Sequence, residues 1–251
     1  MKAICLVVSL LPVLAEPALE SRYSQVYTIL INGSIAGNEK VTEEYSKEGN
    51  LVSSSESEIF MLVGQEPKRM AFTTRTVLAK GTLAPLTYSF KFTGGDSRDW
   101  FEVTVRDGTI HRVLSRGTQT SEVSIPVQPG VVILDFSAYY HYEHLIRKYD
   151  SKKRGRQSFP NFIPVIASSI PLTVTELDEA TIEHVKGPLH IRNFKIELSG
   201  GTRTRSVQVD KTGRLVRIWV PEQNLEVVRA DLVPEPAPAE PVKPSEAKPT
   251  P

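Results

Sequence analysis

Residues 134–150, LDFSAYYHYEHLIRKYD, form the one stretch of this sequence with a clear helical period. Placed at 100° per residue, the stretch has one narrow apolar stripe. The stripe consists of Ala138, Tyr142, Leu145 and Tyr149, flanked by Tyr139 and Ile146. Asp135 or Ser137 can accept hydrogen bonds from the first free N–H groups as an N-cap, and Lys148 suits the negative end of the helix dipole. We therefore predict a helix over about residues 135–149 whose tyrosine-rich stripe is buried.

On both sides of this helix, between residues 22 and 233, the dominant period is two. In residues 85–92, PLTYSFKF, large apolar side chains alternate with polar ones, which is typical of a strand with one wet face. The apolar face carries Leu86, Tyr88, Phe90 and Phe92. The segments QVYTILI, DWFEVTV and LVRIWV follow the same pattern, and turn signals such as Asn32-Gly33 and Asp107-Gly108 separate them.

The Asp107-Gly108 turn predicts a hairpin with a defined register. The predicted pairs are Arg106–Thr109, Val105–Ile110, Val103–Arg112 and Phe101–Leu114, with Thr104–His111 and Glu102–Val113 on the more polar face. Residues 53–58, SSSESE, are polar at every position and predict a polar strand at an edge of the sheet.

About a dozen short strands with tight turns and no alternating βα pattern favour an antiparallel sheet. A sheet of that length has to curl or close, because flat edges pair with other chains. We predict a mainly β fold: a large curved antiparallel sheet, a half-barrel or barrel-like meander, that wraps or flanks one central helix. We expect residues 22–233 to form a single β-rich domain.

The N-terminus has the pattern of a secretory signal peptide. Residues 1–15, MKAICLVVSLLPVLA, carry one lysine, an apolar run and a small residue at Ala15, which predicts cleavage after about Ala15 and a periplasmic or secreted protein. The only cysteine, Cys5, lies in this segment, so disulfides and cysteine-ligated metals are not expected in the processed chain. No later segment approaches the ~20 apolar residues that span a bilayer.

The C-terminal residues 234–251, PEPAPAEPVKPSEAKPTP, contain seven prolines and cannot form a core. They predict a disordered, extended tail, with a spacer or a tether to a partner as the functional alternative.

Charge restricts the classes of partner. Lysine and arginine number 30 against 29 acidic residues, and without Lys2 of the signal segment the formal charge is zero, so no nucleic acid partner is expected. One basic run follows the helix, at Lys152, Lys153, Arg154 and Arg156. It is either a solvated loop or a contact for anionic headgroups.

Two of the five histidines, His141 and His144, lie in the predicted helix. The helical plot places His141 about 60° and His144 about 120° from the apolar stripe, so we expect them at the flank and on the wet surface. An i, i+3 pair can chelate a metal, but zinc needs three or four protein ligands, so His111, His184 or His190 would have to complete the site. Because HExxH, GxSxG and Walker motifs are absent from the sequence, no cofactor is predicted and a metal-assisted hydrolase is the lesser alternative.

Several passages together resemble an uncharacterised group of bacterial exported β-rich proteins of the domain-of-unknown-function type. They are YTILINGSIAGNEKVT, TLAPLTYSFKF, the helical stretch with the following GRQSFPNFIP, and GRLVRIWVP. The group is similar in architecture to lipoprotein carriers and other lipophile-binding half-barrels. The resemblance implies a curved sheet around a helix and an exported location, and it brings no catalytic residues.

The first functional hypothesis is therefore an exported, non-catalytic β-protein that binds a lipophilic or amphipathic ligand, or an envelope protein, in the concavity of the sheet. The expected lining consists of Phe90, Phe92 and Trp219 from the strands and Tyr139, Tyr142 and Tyr149 from the helix. The alternatives are the hydrolase that uses His141 and His144, and a structural or scaffold protein tethered by its proline-rich tail.

Overall fold

The computed structural model describes residues 20–63, 66–95, 97–185 and 187–233. The predicted signal segment (1–15) and the proline-rich tail (234–251) lie outside the described residues. Within these ranges no helix is both long enough and apolar enough to cross a bilayer.

The described residues contain eighteen strands and one α-helix. The strands are β1 (Glu20–Ile31), β2 (Ser34–Tyr45), β3 (Leu51–Val63), β4 (Glu66–Leu78), β5 (Pro85–Gly94), β6 (Ser97–Arg106), β7 (Thr109–Arg116), β8 (Gln119–Pro126), β9 (Val132–Ile133), β10 (Arg156–Phe159), β11 (Asn161–Ile163), β12 (Ser168–Ser169), β13 (Leu172–Glu176), β14 (Ala180–Ile182), β15 (Leu189–Leu198), β16 (Arg203–Asp210), β17 (Leu215–Val220) and β18 (Leu225–Arg229). The helix is α1 (Tyr140–Lys148), and short 3-10 turns lie at Pro164–Ile166, Ser199–Gly201, Pro221–Gln223 and Ala230–Leu232.

Fifteen strands form one antiparallel sheet in the order β10-β13-β15-β16-β17-β18-β1-β2-β3-β4-β5-β6-β7-β8, with β14 paired to β15. Most neighbours in this sheet are also neighbours in the chain, as in a meander. The exceptions are β10 with β13, β13 with β15, and β18 with β1, the pair that joins the last described strand to the first. A small sheet of β12, β11 and β9 covers part of the concave face. The prediction of a mainly β fold with a large curved antiparallel sheet is therefore confirmed.

Local sequence sets the register of the hairpins. All six predicted pairs of the β6–β7 hairpin are confirmed, from Arg106–Thr109 at the turn to Phe101–Leu114. Asp107 and Gly108 both have positive φ, 50° and 69°, which is the conformation that a two-residue turn of this kind requires.

The sheet curls around α1, since side chains of this short helix reach strands that are far apart in the sheet. The Tyr140 hydroxyl hydrogen-bonds Thr74 and Thr76 of β4, while the Glu143 carboxylate accepts the amide of Leu215 in β17. At the helix end, Tyr149 packs edge-on against Phe194 of β15. The predicted stripe is buried as expected, with Ala138, Tyr142, Leu145 and Tyr149 all below 10% exposed.

The helix begins later than predicted, and the predicted N-cap is wrong. The Asp135 carboxylate instead accepts the backbone N–H of Ser137 in a turn, and Tyr139 occupies the N-cap position without a side-chain cap. Aspartate competes with the helix by bonding its own neighbouring amide, so the chain turns once before α1 starts at Tyr140.

The prediction that residues 53–58 form a strand at an edge of the sheet is wrong. They lie in β3, between β2 and β4, and the side chains of Ser53, Ser55 and Ser57 are buried. A polar strand is stable in the middle of this sheet because its inner face meets a polar side of the helix, where Ser53 contacts His144.

Candidate functional site

The inner face of β2, β3 and β4 is polar where it faces α1. The buried polar side chains of this face are Glu39, Glu43, Ser53, Ser55, Ser57, Thr74 and Thr76. The two-residue period of the strands places them on one surface, and the buried histidines of the helix meet it. Buried polar groups are stable only when they find partners, so the pairing of these groups determines how the helix sits.

His141 is buried and neutral. Its Nδ1 accepts the backbone N–H of Asp135 at 3.1 Å, so its Nε2 carries the proton and donates to the Thr76 hydroxyl at 2.8 Å. Burial lowers the pKa of His141 well below its usual value, and the nearby His144 adds to this effect. His141 therefore links the helix to β4 through its hydrogen bond to Thr76.

A chain of hydroxyl groups continues from this contact. Thr76 lies 2.8 Å from the Tyr140 hydroxyl, Tyr140 lies 2.9 Å from Thr74, and Thr74 lies 2.8 Å from Ser55. Every member is buried, so the chain links α1 to β4 and β3 out of reach of solvent.

Tyr140→Phe should lower the free energy of unfolding by about 1–3 kcal/mol, because two buried threonine hydroxyls lose a partner that water cannot replace. Denaturant unfolding of the two proteins measures this difference. Tyr149→Phe is the matched control, since its hydroxyl donates only to the carbonyl of Gly155 in a loop and should cost less. Equal losses in the two variants would contradict a structural role of the hydroxyl chain.

His144 is buried rather than solvated, which corrects the prediction from the helical plot. Its Nε2 lies 2.9 Å from the Ser53 hydroxyl and 3.4 Å from the Glu43 carboxylate. Burial lowers the pKa of His144, although the interaction with Glu43 opposes the shift. The helical plot failed because it assumes that one side of the helix faces water, whereas here a polar strand covers that side.

Beside His144, two carboxylates and two guanidinium groups form an ion-pair quartet: Glu43, Glu143, Arg147 and Arg214. Arg147 donates to both oxygens of Glu43, at 2.9 and 3.1 Å, and pairs with Glu143 four residues earlier in α1. Arg214 donates to Glu43 at 2.5 Å and to Glu143 at 2.7 Å, both through Nη1. Burial opposes ionisation of Glu43, but hydrogen bonds from His144 and Arg147 outweigh it and hold the pKa of this carboxyl well below its usual range.

The quartet lies at one end of the curled sheet, because three hairpin turns and the C-terminal end of α1 meet there. The turns are those between β2 and β3, β4 and β5, and β16 and β17. They enclose a cleft of about 840 Å³, which we call the mouth cleft. Leu51, Ala79 and Leu83 are among its apolar lining residues, and Lys80, Arg147 and Arg214 are its cations. Its lining, taken from the described part of the chain, includes no carboxylate; Glu43 and Glu143 lie beneath the arginines.

The helix tyrosines predicted to line a ligand site, Tyr139, Tyr142 and Tyr149, are all less than 10% exposed and pack against the sheet. Phe90 and Phe92 lie on the inner face as predicted and are half-buried, with the Phe72 ring 5.9 and 5.3 Å from theirs. The prediction that Trp219 lines the concave face is wrong. Trp219 lies on the outer face beside Arg217 and Ser206, while its neighbours Ile218 and Val220 point into the core.

The basic run lies on the surface, where all four of its side chains are exposed. Two of them are near acids: Lys153 is 3.5 Å from Asp150, and Arg156 is 3.5 Å from Glu197. The prediction that Lys152, Lys153, Arg154 and Arg156 contact an anionic surface stays a prediction.

In the part of the chain that the structure describes, no third histidine joins His141 and His144. His111 hydrogen-bonds Ser124 and His190 hydrogen-bonds Thr181, each on an exposed part of the sheet. Across the described ranges, no group of three or more His, Cys, Asp or Glu residues is arranged to hold a metal. The geometry therefore does not assemble the ligand set that the hydrolase alternative requires.

Sequence reasoning missed Glu43, Ser53 and Arg214. A signal for the first two existed: SSSESE is polar on both faces of its strand, and in NEKVTEEY the face of Val41 and Tyr45 also carries Glu39 and Glu43. Arg214 follows a turn glycine and carries no local signal; only the curl of the sheet brings it to Glu43, 171 residues away.

No family model matches this sequence, and no curated protein matches it. Among solved structures, the chain is similar to a beta-barrel-like protein of the domain of unknown function DUF1849 from Brucella abortus. The TM-score is 0.54 at 10% sequence identity, and the match covers 85% of this chain and 96% of that chain. At this identity the similarity shows the fold alone, and it supports the resemblance to a β-rich domain of unknown function.

Proposed function

We propose that this chain is an exported, non-catalytic β-protein that binds an amphipathic anion in the mouth cleft. The observation that carries the proposal is the composition of the cleft, which is lined both by apolar side chains, Leu51 and Leu83, and by the guanidinium groups of Arg147 and Arg214. Its volume of about 840 Å³ suits a small-molecule site, since such sites measure about 300–1,000 Å³. The signal-like residues 1–15 support export.

The cationic side of the cleft suits a carboxylate or phosphate. A guanidinium group binds such anions through two parallel N–H bonds. Both hydrogen bonds that Arg214 donates to the quartet come from Nη1, so its Nη2 and Nε are not used in them. The quartet itself is neutral, and Lys80 adds one positive charge at the rim. An anionic head at the arginines and an apolar body against the leucines would use both halves of the cleft.

A binding role fits the buried histidines better than catalysis does. His141 and His144 are neutral, tied to threonine and serine hydroxyls, and covered by the sheet. A general base has to reach the proton that it removes, so groups enclosed in this way support the fold.

Dodecanoate is a suitable probe, with dodecanol as the matched neutral compound of the same chain length. We expect calorimetric titration below the micellar range to show tighter binding of dodecanoate. Lys80→Gln should weaken dodecanoate about fivefold, as expected for loss of one charge pair near the surface, and leave dodecanol unchanged. Lys91→Gln, exposed on β5, is the control charge change.

Leu83→Asn tests the apolar wall. Leu83 has a φ of 53°, a conformation that asparagine tolerates well, so the change removes apolar surface without backbone strain. It should weaken dodecanoate and dodecanol alike. Equal affinity for the two compounds in the parent protein, or binding that neither Lys80→Gln nor Leu83→Asn alters, would contradict the proposal.

A further inference from the structure

A second concave surface lies on the outside of the sheet, over β16, β17 and β18. One part, of about 380 Å³, is lined by Trp219, Ser206, Arg217 and Glu226. A second part, of about 280 Å³, is lined by apolar side chains that include Leu30, Val228 and Val233. Gln208, Arg217 and Glu226 line both parts, so the two are continuous. We call this continuous surface the outer groove.

The described chain ends inside this groove. Val233 is its last described residue and one of its lining residues. The next eighteen residues, 234–251, contain seven prolines and only one large apolar side chain, Val242. A segment of this composition favours the polyproline II conformation, which keeps its shape without internal hydrogen bonds.

We propose that residues 234–251 dock in the outer groove of their own domain as a polyproline II segment, with prolines packed against the indole ring of Trp219. Grooves that bind proline-rich segments are lined by aromatic side chains, because a flat ring packs well on a proline and the extended segment loses little entropy on binding. Trp219 is half-buried on the outer face, beside the small Ser206 in the neighbouring strand, and it lines the groove.

Val233 and Arg217 line the same part of the groove, and Trp219 lies two residues beyond Arg217 along β17, about 7 Å away. Polyproline II advances about 3.1 Å per residue, so residues 234–238, PEPAP, would span roughly 15 Å in that conformation, about twice the step from Arg217 to Trp219. A second copy of the chain is not needed to supply the segment.

Charge favours an apolar contact over an electrostatic one. Arg217 of the groove is already paired with Glu226. The tail carries three glutamates and two lysines, close to neutral overall. Attachment of the tail next to the groove compensates for a weak contact, since a short linker gives an effective concentration in the millimolar range.

Tryptophan fluorescence tests the proposal in a Trp100→Phe background, where Trp219 is the only tryptophan. We expect a variant that ends at Val233 to show emission at longer wavelength and stronger acrylamide quenching than the full chain. A synthetic peptide of residues 234–251, added at ~millimolar concentration, should reverse both changes. A peptide with the seven prolines replaced by alanine is the control and should reverse neither.

Trp219→Ser provides a second readout. In this variant, shortened to end at Val233, a fluorescently labelled 234–251 peptide should lose its binding to the domain, whereas Trp100→Phe shortened in the same way should retain it. Identical quenching of the full and shortened chains, together with no peptide binding, would overturn the proposal. Quenching that depends on protein concentration, with a doubled mass in solution, would overturn docking within one chain and assign the groove to a second copy.

Discussion

Glu39→Gln should flatten the fall in stability that we expect between about pH 4.5 and pH 8. Glu39 is fully buried on β2, opposite Ser57 of β3, and among the described residues no donor lies at good hydrogen-bonding distance and angle to either of its carboxylate oxygens. Burial raises its pKa from 4.5 to about 8, against weaker opposing interactions with Ser55, Ser57 and the amide of Tyr139. In the folded protein the carboxyl group is therefore neutral at pH 7.

The direction of the effect follows from proton linkage. Below about pH 4.5 the Glu39 carboxyl group is protonated in both the folded and the unfolded protein, so the free energy of unfolding has its highest value. Between 4.5 and 8 only the unfolded chain releases the proton, so the free energy of unfolding falls as pH rises and levels off above about pH 8. A shift of this size corresponds to roughly 3–5 kcal/mol, at about 1.4 kcal/mol per pH unit.

Urea unfolding of the parent and of Glu39→Gln at pH 5, 7 and 9 measures the effect. The buried amide has a cost of its own, so the informative quantity is the difference between the two pH curves, which should widen with pH in favour of the variant. Glu56→Gln, exposed on β3, removes a carboxylate outside the core and should leave the curve unchanged. Parallel curves for the parent and Glu39→Gln would show that Glu39 is solvated or paired in the folded protein.

Arg214→Met should destabilise the protein by about 3–5 kcal/mol at neutral pH, because it leaves Glu43 and Glu143 buried with only Arg147 to balance them. The methionine side chain retains much of the packing, so the loss reports on charge. It also removes the cation over the Tyr23 ring, 3.6 Å from its centroid.

A second substitution distinguishes charge imbalance from a loss of packing. In Arg214→Met with Glu43→Gln the remaining charges again match, and we expect part of the lost stability to return. Arg116→Met is the control, since Arg116 pairs with Asp99 at the surface and should cost less than about 1 kcal/mol. Denaturant unfolding that gives Arg214→Met and Arg116→Met similar losses would contradict a structural role of the quartet.

The mouth cleft and the quartet share Arg147 and Arg214, so a substitution of either arginine would change both the stability of the fold and the binding of a ligand. Lys80 and Leu83 line the cleft outside the quartet, so substitutions there change binding and leave the ion pairs in place. The outer groove lies on the opposite face of the sheet, so its test gives a result independent of the cleft.

Local chemistry determined much of the fold. The two-residue period gave the strands, and the Asp107-Gly108 turn gave the register of β6 and β7, because a turn and its flanking residues interact over short sequence distances. The helical period of residues 134–150 predicted α1 and its buried stripe. It misplaced the start of the helix by five residues, because the Asp135 side chain forms a turn with a neighbouring amide.

What only the tertiary structure decided is which polar residues are buried. A sequence pattern shows that Ser53, His144 and Glu43 share faces of their elements, but whether a face meets water or another polar face depends on how the sheet curls. The same curl brings Arg214 to Glu43, and it places Trp219 outside while Phe90 lies inside. Periodicity sorts side chains into two faces, whereas contacts between strands far apart in the chain determine what each face meets.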